Sequence, residues 1–310
     1  MGSHIFARLP WLRSDKQVDT VVGVSLCTNV LLAVTLKKQK QQWYVSDTLK
    51  EPVQDPSNCA EQLAAFVKSL CGGAAKVYLL IPQSYYQIVQ TEKPALEHDE
   101  LVQSLPWTLK ELVTLSPENI VSDYIDYPIQ QAGKNAKINV FAADKNLLSP
   151  LVSALNHNEL VLQHIAAKET TIAQMTANDN YARMVVFQEP GQEPCILVIR
   201  EQQLLLNRRL RGYALLENST DDVTINNLSD SLGLEIQRSM DFYESQLKQP
   251  PIKEVLFHSH FPTDKVIDRL AQFQSVPIKE FVPLMDLAEV VEPRFYLALA
   301  GAYFPLLEQA

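Results

Sequence analysis

VVGVSLCTNVLLAVTL, at positions 21–36, is the most apolar segment of the chain. β-Branched residues are frequent on both sides of Thr28-Asn29, and this dipeptide suits a tight turn. The run is too short, and too often interrupted by polar residues, to span a bilayer. The pattern therefore predicts a buried β-hairpin at the centre of a sheet.

Composition limits the kind of protein that this chain can be. Its 310 residues, 46% of them hydrophobic, predict two globular domains or one domain with an insertion. The net charge of −9 argues against nucleic acid or an anionic lipid as the main partner and suits basic partner segments better. The four cysteines have no metal-binding spacing, and no signal peptide pattern is visible at the start, so we expect a cytoplasmic location.

The predicted elements contain one order twice: strand, strand, strand, helix, strand. The first set is the two arms of the hairpin, a strand at 42–45, a helix at 58–71 and a strand at 76–82. The second set has strands at 183–188, 195–200 and 203–210, a long helix at 228–247 and a strand at 254–258. This duplication predicts an α/β protein with two actin-like (RNase H-like) βββαβα domains.

A different pattern interrupts the first half of the chain. Strands are predicted at 86–90, 120–127 and 137–143, and a helix at 98–112, which Pro106 should kink. We interpret this block as a small inserted α+β subdomain of the 1C type. The predicted division is a first domain of 1–84, 144–177 and 292–310, an inserted subdomain of 85–143 and a second domain of 178–291.

Three segments resemble a known family, the PilM-type proteins, which are actin-like type IV pilus assembly proteins. LEIQRSMDFYESQ at 234–246 resembles their long-helix signature, and ELVQSLPWTLKELVTLSPENIVSDYIDY at 100–127 resembles their inserted subdomain. The segment 142–175 is similar to the part that follows. The resemblance extends over nearly the whole chain, and the version found in the mannose-sensitive haemagglutinin (MSHA) pilus system is the nearest match.

The resemblance also shows where this chain departs from a nucleotide-binding hairpin. The family pattern is approximately G-[IV]-D-[IL]-G-[ST]-x-x-x-K, in which Asp handles metal and water. Here Ser25 replaces that Asp, Cys27 replaces the second Gly and Leu32 replaces the Lys, while Thr28 keeps the hydroxyl. We therefore expect a vestigial phosphate hairpin.

Two further segments point the same way. Positions 185–189 lack the family's second Asp-x-Gly pattern, and positions 256–262, where the adenosine loop is glycine-rich, contain no glycine. His258 and His260 could share a strand face, but no third metal ligand has suitable spacing. We expect no catalytic residue, no metal and no cofactor; the alternative is an active ATPase or sugar-kinase-like enzyme that binds Mg-ATP through unusual ligands.

The resemblance implies a protein partner. In the family, a groove between the first domain and the inserted subdomain receives the N-terminal tail of a PilN-like single-span inner-membrane protein. The residues that would line it here are Leu101, Leu105, Trp107, Tyr124 and Lys168. Because the chain has no hydrophobic span, we expect it to be peripheral to the inner membrane, attached through partners.

Two more hypotheses follow from the sequence. The leader LPWLR at 9–13 is similar to the family's tail motif I-N-L-L-P-W/Y-R, so it could occupy the groove of its own chain or of a neighbour. The cytoplasmic part of a type II secretion L-type protein shares this fold and is a further alternative. The absence of a following transmembrane helix argues against it.

Overall fold

The computed structural model describes residues 19–40, 42–55, 58–130, 133 and 135–308. The leader motif at 9–13 lies outside these residues, so its predicted self-association stays a prediction. The chain divides into two compact units. Unit 1 takes the described residues up to Thr171 and from Phe295 onward, and unit 2 is Ile172–Arg294. The predicted second domain began at 178 and ended at 291, so the unit boundaries differ from it by a few residues.

Unit 1 contains two sheets and most of the helices. Its strands are β1 (Thr20–Leu26), β2 (Val30–Gln39), β3 (Gln42–Pro52), β4 (Lys76–Leu80), β5 (Tyr86–Glu92), β6 (Ile120–Asp126), β7 (Lys137–Asp144) and β8 (Val161–Ala166). Its helices are α1 (Ala60–Cys71), α2 (His98–Thr108) and α3 (Lys145–His157), and α4 (Lys168–Gln174) crosses into unit 2.

Unit 2 contains one sheet, the end of α4 and two further α-helices. Its strands are β9 (Arg183–Phe187), β10 (Cys195–Arg200), β11 (Gln203–Arg209), β12 (Glu254–His258) and β13 (Ile278–Glu280), and its helices are α5 (Asp222–Asp241) and α6 (Asp264–Ala271). The last helix, α7 (Tyr296–Glu308), belongs to unit 1. No helix of the described residues is both long enough and apolar enough to cross a membrane.

The predicted hairpin is confirmed, and β1 is the central strand of its sheet. The strand order is β3-β2-β1-β4-β8, with β1 antiparallel to β2 and parallel to β4. The turn is closed by the Cys27 amide, which donates a 3.0 Å hydrogen bond to the Val30 carbonyl. Val21, Val22 and Val24 have no exposed surface, as expected of a strand covered on both faces.

The sheet of unit 2 repeats this topology. Its order is β11-β10-β9-β12-β13, with an antiparallel meander of three strands followed by two parallel strands. When the strands of each sheet are numbered as they occur along the chain, both sheets have the spatial order third, second, first, fourth, fifth. The predicted duplicated actin-like fold is confirmed.

The inserted subdomain is a three-stranded antiparallel sheet, β5-β7-β6, covered by α2. On the α2 side, Leu101 and Leu105 pack in a core with Ile138 and Val140. On the other side, Phe141 and its neighbours join the main hydrophobic core of unit 1. Successive side chains of β7 point to opposite faces of the sheet. This one strand therefore contributes residues to both cores.

The long helix of unit 2 begins earlier than the sequence pattern predicted. It starts at Asp222 and not near Leu228, because the Asp221 carboxylate accepts a 2.8 Å hydrogen bond from the Thr224 amide and caps the helix. After Asp241 the helix continues as one π-helical turn, Phe242–Gln246, in which Tyr243 is completely buried.

Helix α7 lies directly on β1 and β4, and two glycines allow this approach. A Cβ atom at Gly23 would overlap the carbonyl oxygen of Ala298 and lie 2.9 Å from the Cβ of Ala302. A Cβ atom at Gly301 would overlap the side chain of Leu80. The retained first glycine of the hairpin is therefore required by helix packing.

We expect Gly23→Ala to lower the free energy of unfolding by about 3 kcal/mol, because the added methyl group must displace the backbone of α7. Denaturant unfolding measures the change. Gly73→Ala is the matched control, since a Cβ atom there meets nothing within 4 Å. Equal stability of the two variants would contradict the packing role of Gly23.

Candidate functional site

The carboxyl ends of β1, β4 and β8 lie side by side in unit 1. The register pairs Ser25 with Leu80 and Leu80 with Ala166, so the segments that follow these residues meet at one edge of the sheet. We call it the carboxyl edge. Open α/β sheets bind ligands at such an edge, and the predicted phosphate hairpin lies on it.

The hairpin residues present little that could hold a phosphate or a metal. Ser25 is 2% exposed, its cross-strand partner is Leu32, and its hydroxyl lies 3.8 Å from the Cys27 thiol. Cys27 and Leu32 are buried as well, and Thr28 is exposed. Mg²⁺ prefers carboxylate and water oxygens, so this set of one buried hydroxyl, one thiol and one exposed hydroxyl fits Mg-nucleotide poorly.

A buried polar network occupies the same edge. Glu169, at the start of α4, has no exposed surface, and its carboxylate accepts hydrogen bonds from Gln83 Nε2 at 3.0 Å and from the Tyr86 hydroxyl at 2.5 Å. Tyr86 is the first residue of β5. The network therefore ties the entry of the inserted subdomain to the helix that follows β8, and a buried carboxylate needs such donors.

Lys168 was predicted to contact a partner, but the structure places it inside the protein. Only 1% of its surface is exposed, and its neighbour Glu169 is buried too. A side chain buried to this extent does not present its ammonium group to a partner.

The other four predicted partner-binding residues divide into two groups. Leu101 and Leu105 are completely buried in the core beneath α2, so they hold the helix and offer a partner no surface. Trp107, at the end of α2, is 69% exposed. Tyr124 is half-buried, its hydroxyl lies 3.1 Å from His98 Nδ1, and Lys93 Nζ lies 5.4 Å from its ring centre.

In unit 2, His258 at the end of β12 and His260 just after it have different surroundings. His258 is buried and stacks on Phe187 with the ring centres 4.1 Å apart. Burial, and secondarily the nearby His260, lower the pKa of His258 to about 3. His260 instead bonds through Nε2 to the Glu217 carboxylate at 2.9 Å. The described residues contain no group of three or more His, Cys, Asp or Glu side chains that could hold a metal ion.

Sequence reasoning missed the network around Glu169. The available signal was positional: Gln83 and Glu169 each come shortly after a buried parallel strand, at the edge where such sheets gather polar groups. Tyr86 could not have been added in this way, because its hydroxyl reaches the carboxylate only through the folding of the inserted subdomain.

We expect Tyr86→Phe to lower the free energy of unfolding by about 2 kcal/mol, because it removes a donor from a buried carboxylate. Thermal or denaturant unfolding measures the loss. Tyr44→Phe is the control, since Tyr44 is 40% exposed. A Tyr86→Phe variant as stable as the control would show that Glu169 does not depend on this bond.

We also expect a pH dependence of stability from His258. Its pKa is about 3 in the folded protein against 6.5 for an ordinary histidine, so the unfolded chain binds the proton first. The stabilisation that comes from keeping His258 neutral is complete above pH 6.5 and is lost as the pH falls toward 3. Over this range the free energy of unfolding changes by at most about 1.4 kcal/mol per pH unit because of this residue. Urea unfolding across this range should show a smaller slope for His258→Gln than for the exposed control His157→Gln. Equal slopes would refute the assignment.

Comparisons with known proteins show the fold. No family model and no curated protein match the chain. It is similar to the solved structure of a PilM–PilN type IV pilus biogenesis complex, with a TM-score of 0.68 and 15% identity, covering 92% of this chain and 98% of that chain. At this identity the likeness is evidence for the fold alone.

Two further solved structures are less similar and carry no argument. One is the cytoplasmic domain of EpsL, an inner-membrane component of the type II secretion system of Vibrio cholerae, with a TM-score of 0.46 and 10% identity over 83% of this chain and 97% of that chain. The other is a protein of unknown function with an actin-like ATPase fold from Bacteroides thetaiotaomicron, with a TM-score of 0.49 and 11% identity over 84% and 90% of the two chains. The strand order repeated in the two sheets is the actin-like fold that the duplicated pattern predicted.

Proposed function

We propose that this protein is a non-catalytic actin-fold scaffold of a type IV pilus assembly platform at the inner membrane. In this proposal it binds the cytoplasmic N-terminal tail of a PilN-like single-span membrane protein. The finer assignment that we propose is MshI of the MSHA pilus system. The observation that carries the proposal is the likeness to the solved structure of a PilM–PilN complex along 92% of the chain.

The chemistry of the hairpin supports a scaffold without catalysis. Ser25 has no carboxylate to orient a metal-bound water, and Cys27 adds a side chain where a backbone amide would have to approach a phosphate. Leu32 is buried opposite Ser25 and leaves that position without a cation. The alternative is that other residues bind Mg-ATP. The Mg-ATP titration described below distinguishes this alternative from a scaffold without catalysis.

The inserted subdomain supports tail binding. Trp107 exposes most of its side chain, and large exposed aromatic residues are typical anchors of protein interfaces. Its helix cannot shift easily, because Leu101 and Leu105 are fully buried beneath it. A tail with apolar and basic residues suits this surface, since the chain as a whole has a net charge of −9.

In this proposal the partner supplies the attachment to the membrane. The described helices include none that could cross a bilayer. The proposed location is therefore the cytoplasm, peripheral to the inner membrane.

We expect Trp107→Ala to weaken binding of a tail peptide with the motif I-N-L-L-P-W/Y-R by at least about tenfold, because the variant lacks the exposed Trp side chain that the peptide would cover. Isothermal titration calorimetry measures the affinity. Leu215→Ala is the control, since Leu215 is 65% exposed in unit 2. Unchanged affinity of Trp107→Ala would remove this residue from the interface.

The same titration covers the remaining hypotheses. Mg-ATP should give no saturable heat, and micromolar binding would overturn the non-catalytic proposal in favour of an ATPase. A chain without residues 5–13 tests the leader, which should compete with the peptide if it occupies the groove. Unchanged peptide affinity and oligomeric state in this chain would exclude self-association through LPWLR.

A further inference from the structure

The edge of the unit 1 sheet opposite the carboxyl edge gathers lysines. Lys37 pairs with Thr20 at the start of β1, and Lys76 pairs with Val21 at the start of β4. Lys38 and Lys40 lie at the end of the β2–β3 hairpin, and Lys68 lies in the last turn of α1, just before β4. We call this set of five lysines the basic edge.

The basic edge has the opposite charge to the protein as a whole. Asp19 precedes β1, and Glu159 precedes β8 beside Ala75, so both carboxylates belong to this edge. Among the described residues, the five lysines with Asp19, Glu159 and the exposed Asp47, which pairs with Thr35 on β2, leave a formal charge of +2, in a chain whose net charge is −9. Lys76 is half-buried and the other four lysines are exposed; within the described part of the chain, none of the five forms an ion pair.

Two aromatic side chains lie among the lysines. Trp43 and Tyr44 stand opposite Lys38 and Lys37 across the hairpin. Lys38 Nζ lies 5.7 Å from the centre of the Trp43 ring, and Tyr44 is 40% exposed. Trp and Tyr beside Lys are the combination that settles at the headgroup level of a bilayer, where the rings are half-immersed and the ammonium groups meet phosphate.

We infer that the basic edge docks on an anionic membrane surface, with lipid phosphate groups as its ligand. A nucleic acid fits less well, because a chain with a net charge of −9 would repel a longer phosphate track outside the basic edge. The inference goes beyond the proposed function, since docking needs no partner protein. A single basic patch binds a membrane weakly and reversibly. Stable attachment requires a second contact with the membrane, such as a bound tail whose protein spans the bilayer.

Flotation of the protein with vesicles tests the inference without any partner present. We expect binding to vesicles of phosphatidylcholine with phosphatidylglycerol, little binding to phosphatidylcholine alone, and loss of binding as salt rises. The triple variant Lys37→Gln, Lys38→Gln, Lys40→Gln should bind roughly a hundredfold more weakly, at roughly fivefold per lysine. The control Lys50→Gln, Lys110→Gln, Lys145→Gln has the same net charge and should bind like the unmodified protein.

Several outcomes would overturn the inference. They are equal weakening in both triple variants, equal binding to both kinds of vesicle, and saturable binding to a DNA duplex without binding to anionic vesicles. If circular dichroism shows that the hairpin variant is unfolded, the single variant Lys38→Gln replaces it, with an expected loss of roughly fivefold. Failure of the tail-peptide titration leaves this result unaffected, because the vesicles contain no partner.

Discussion

The close contact between α7 and β1 is the constraint on which the first unit depends. Backbone meets backbone where Gly23 faces Ala298, and this contact joins the last helix of the chain to the first described strand. Such a contact leaves no room for a side chain, and dense packing makes each added methyl group costly. The central strand is therefore held by strands on both sides and by a helix on one face.

The inserted subdomain is attached by packing as well as by the chain. Because β7 contributes alternate residues to two cores, the three-stranded sheet cannot move away from the rest of unit 1 without exposing Phe141 and the residues around it. The hydrogen bond from Tyr86 to Glu169 adds a polar tie at the same junction. A surface residue such as Trp107 is thus presented from a firmly held element, which lowers the entropic cost of binding.

The two edges of the unit 1 sheet have different chemistry. At the carboxyl edge, buried polar groups satisfy one another and leave no strong metal ligand on the hairpin. At the basic edge, lysines face solvent with two aromatic side chains beside them. The parallel strands β1, β4 and β8 place their carboxyl ends at one edge and their amino ends at the other, and the antiparallel strand β2 ends at the second edge and brings Lys37 and Lys38 to it.

The sequence by itself determined the hairpin, the repeated order of elements and the inserted block, because apolar periodicity and turn residues are local signals. It predicted the start of the long helix six residues late, since Asp221 acts through a capping bond that composition does not reveal. Only the tertiary structure decided which groove candidates reach the surface. Leu101, Leu105 and Lys168 are buried and Trp107 is exposed, because burial depends on which face of an element meets its neighbours.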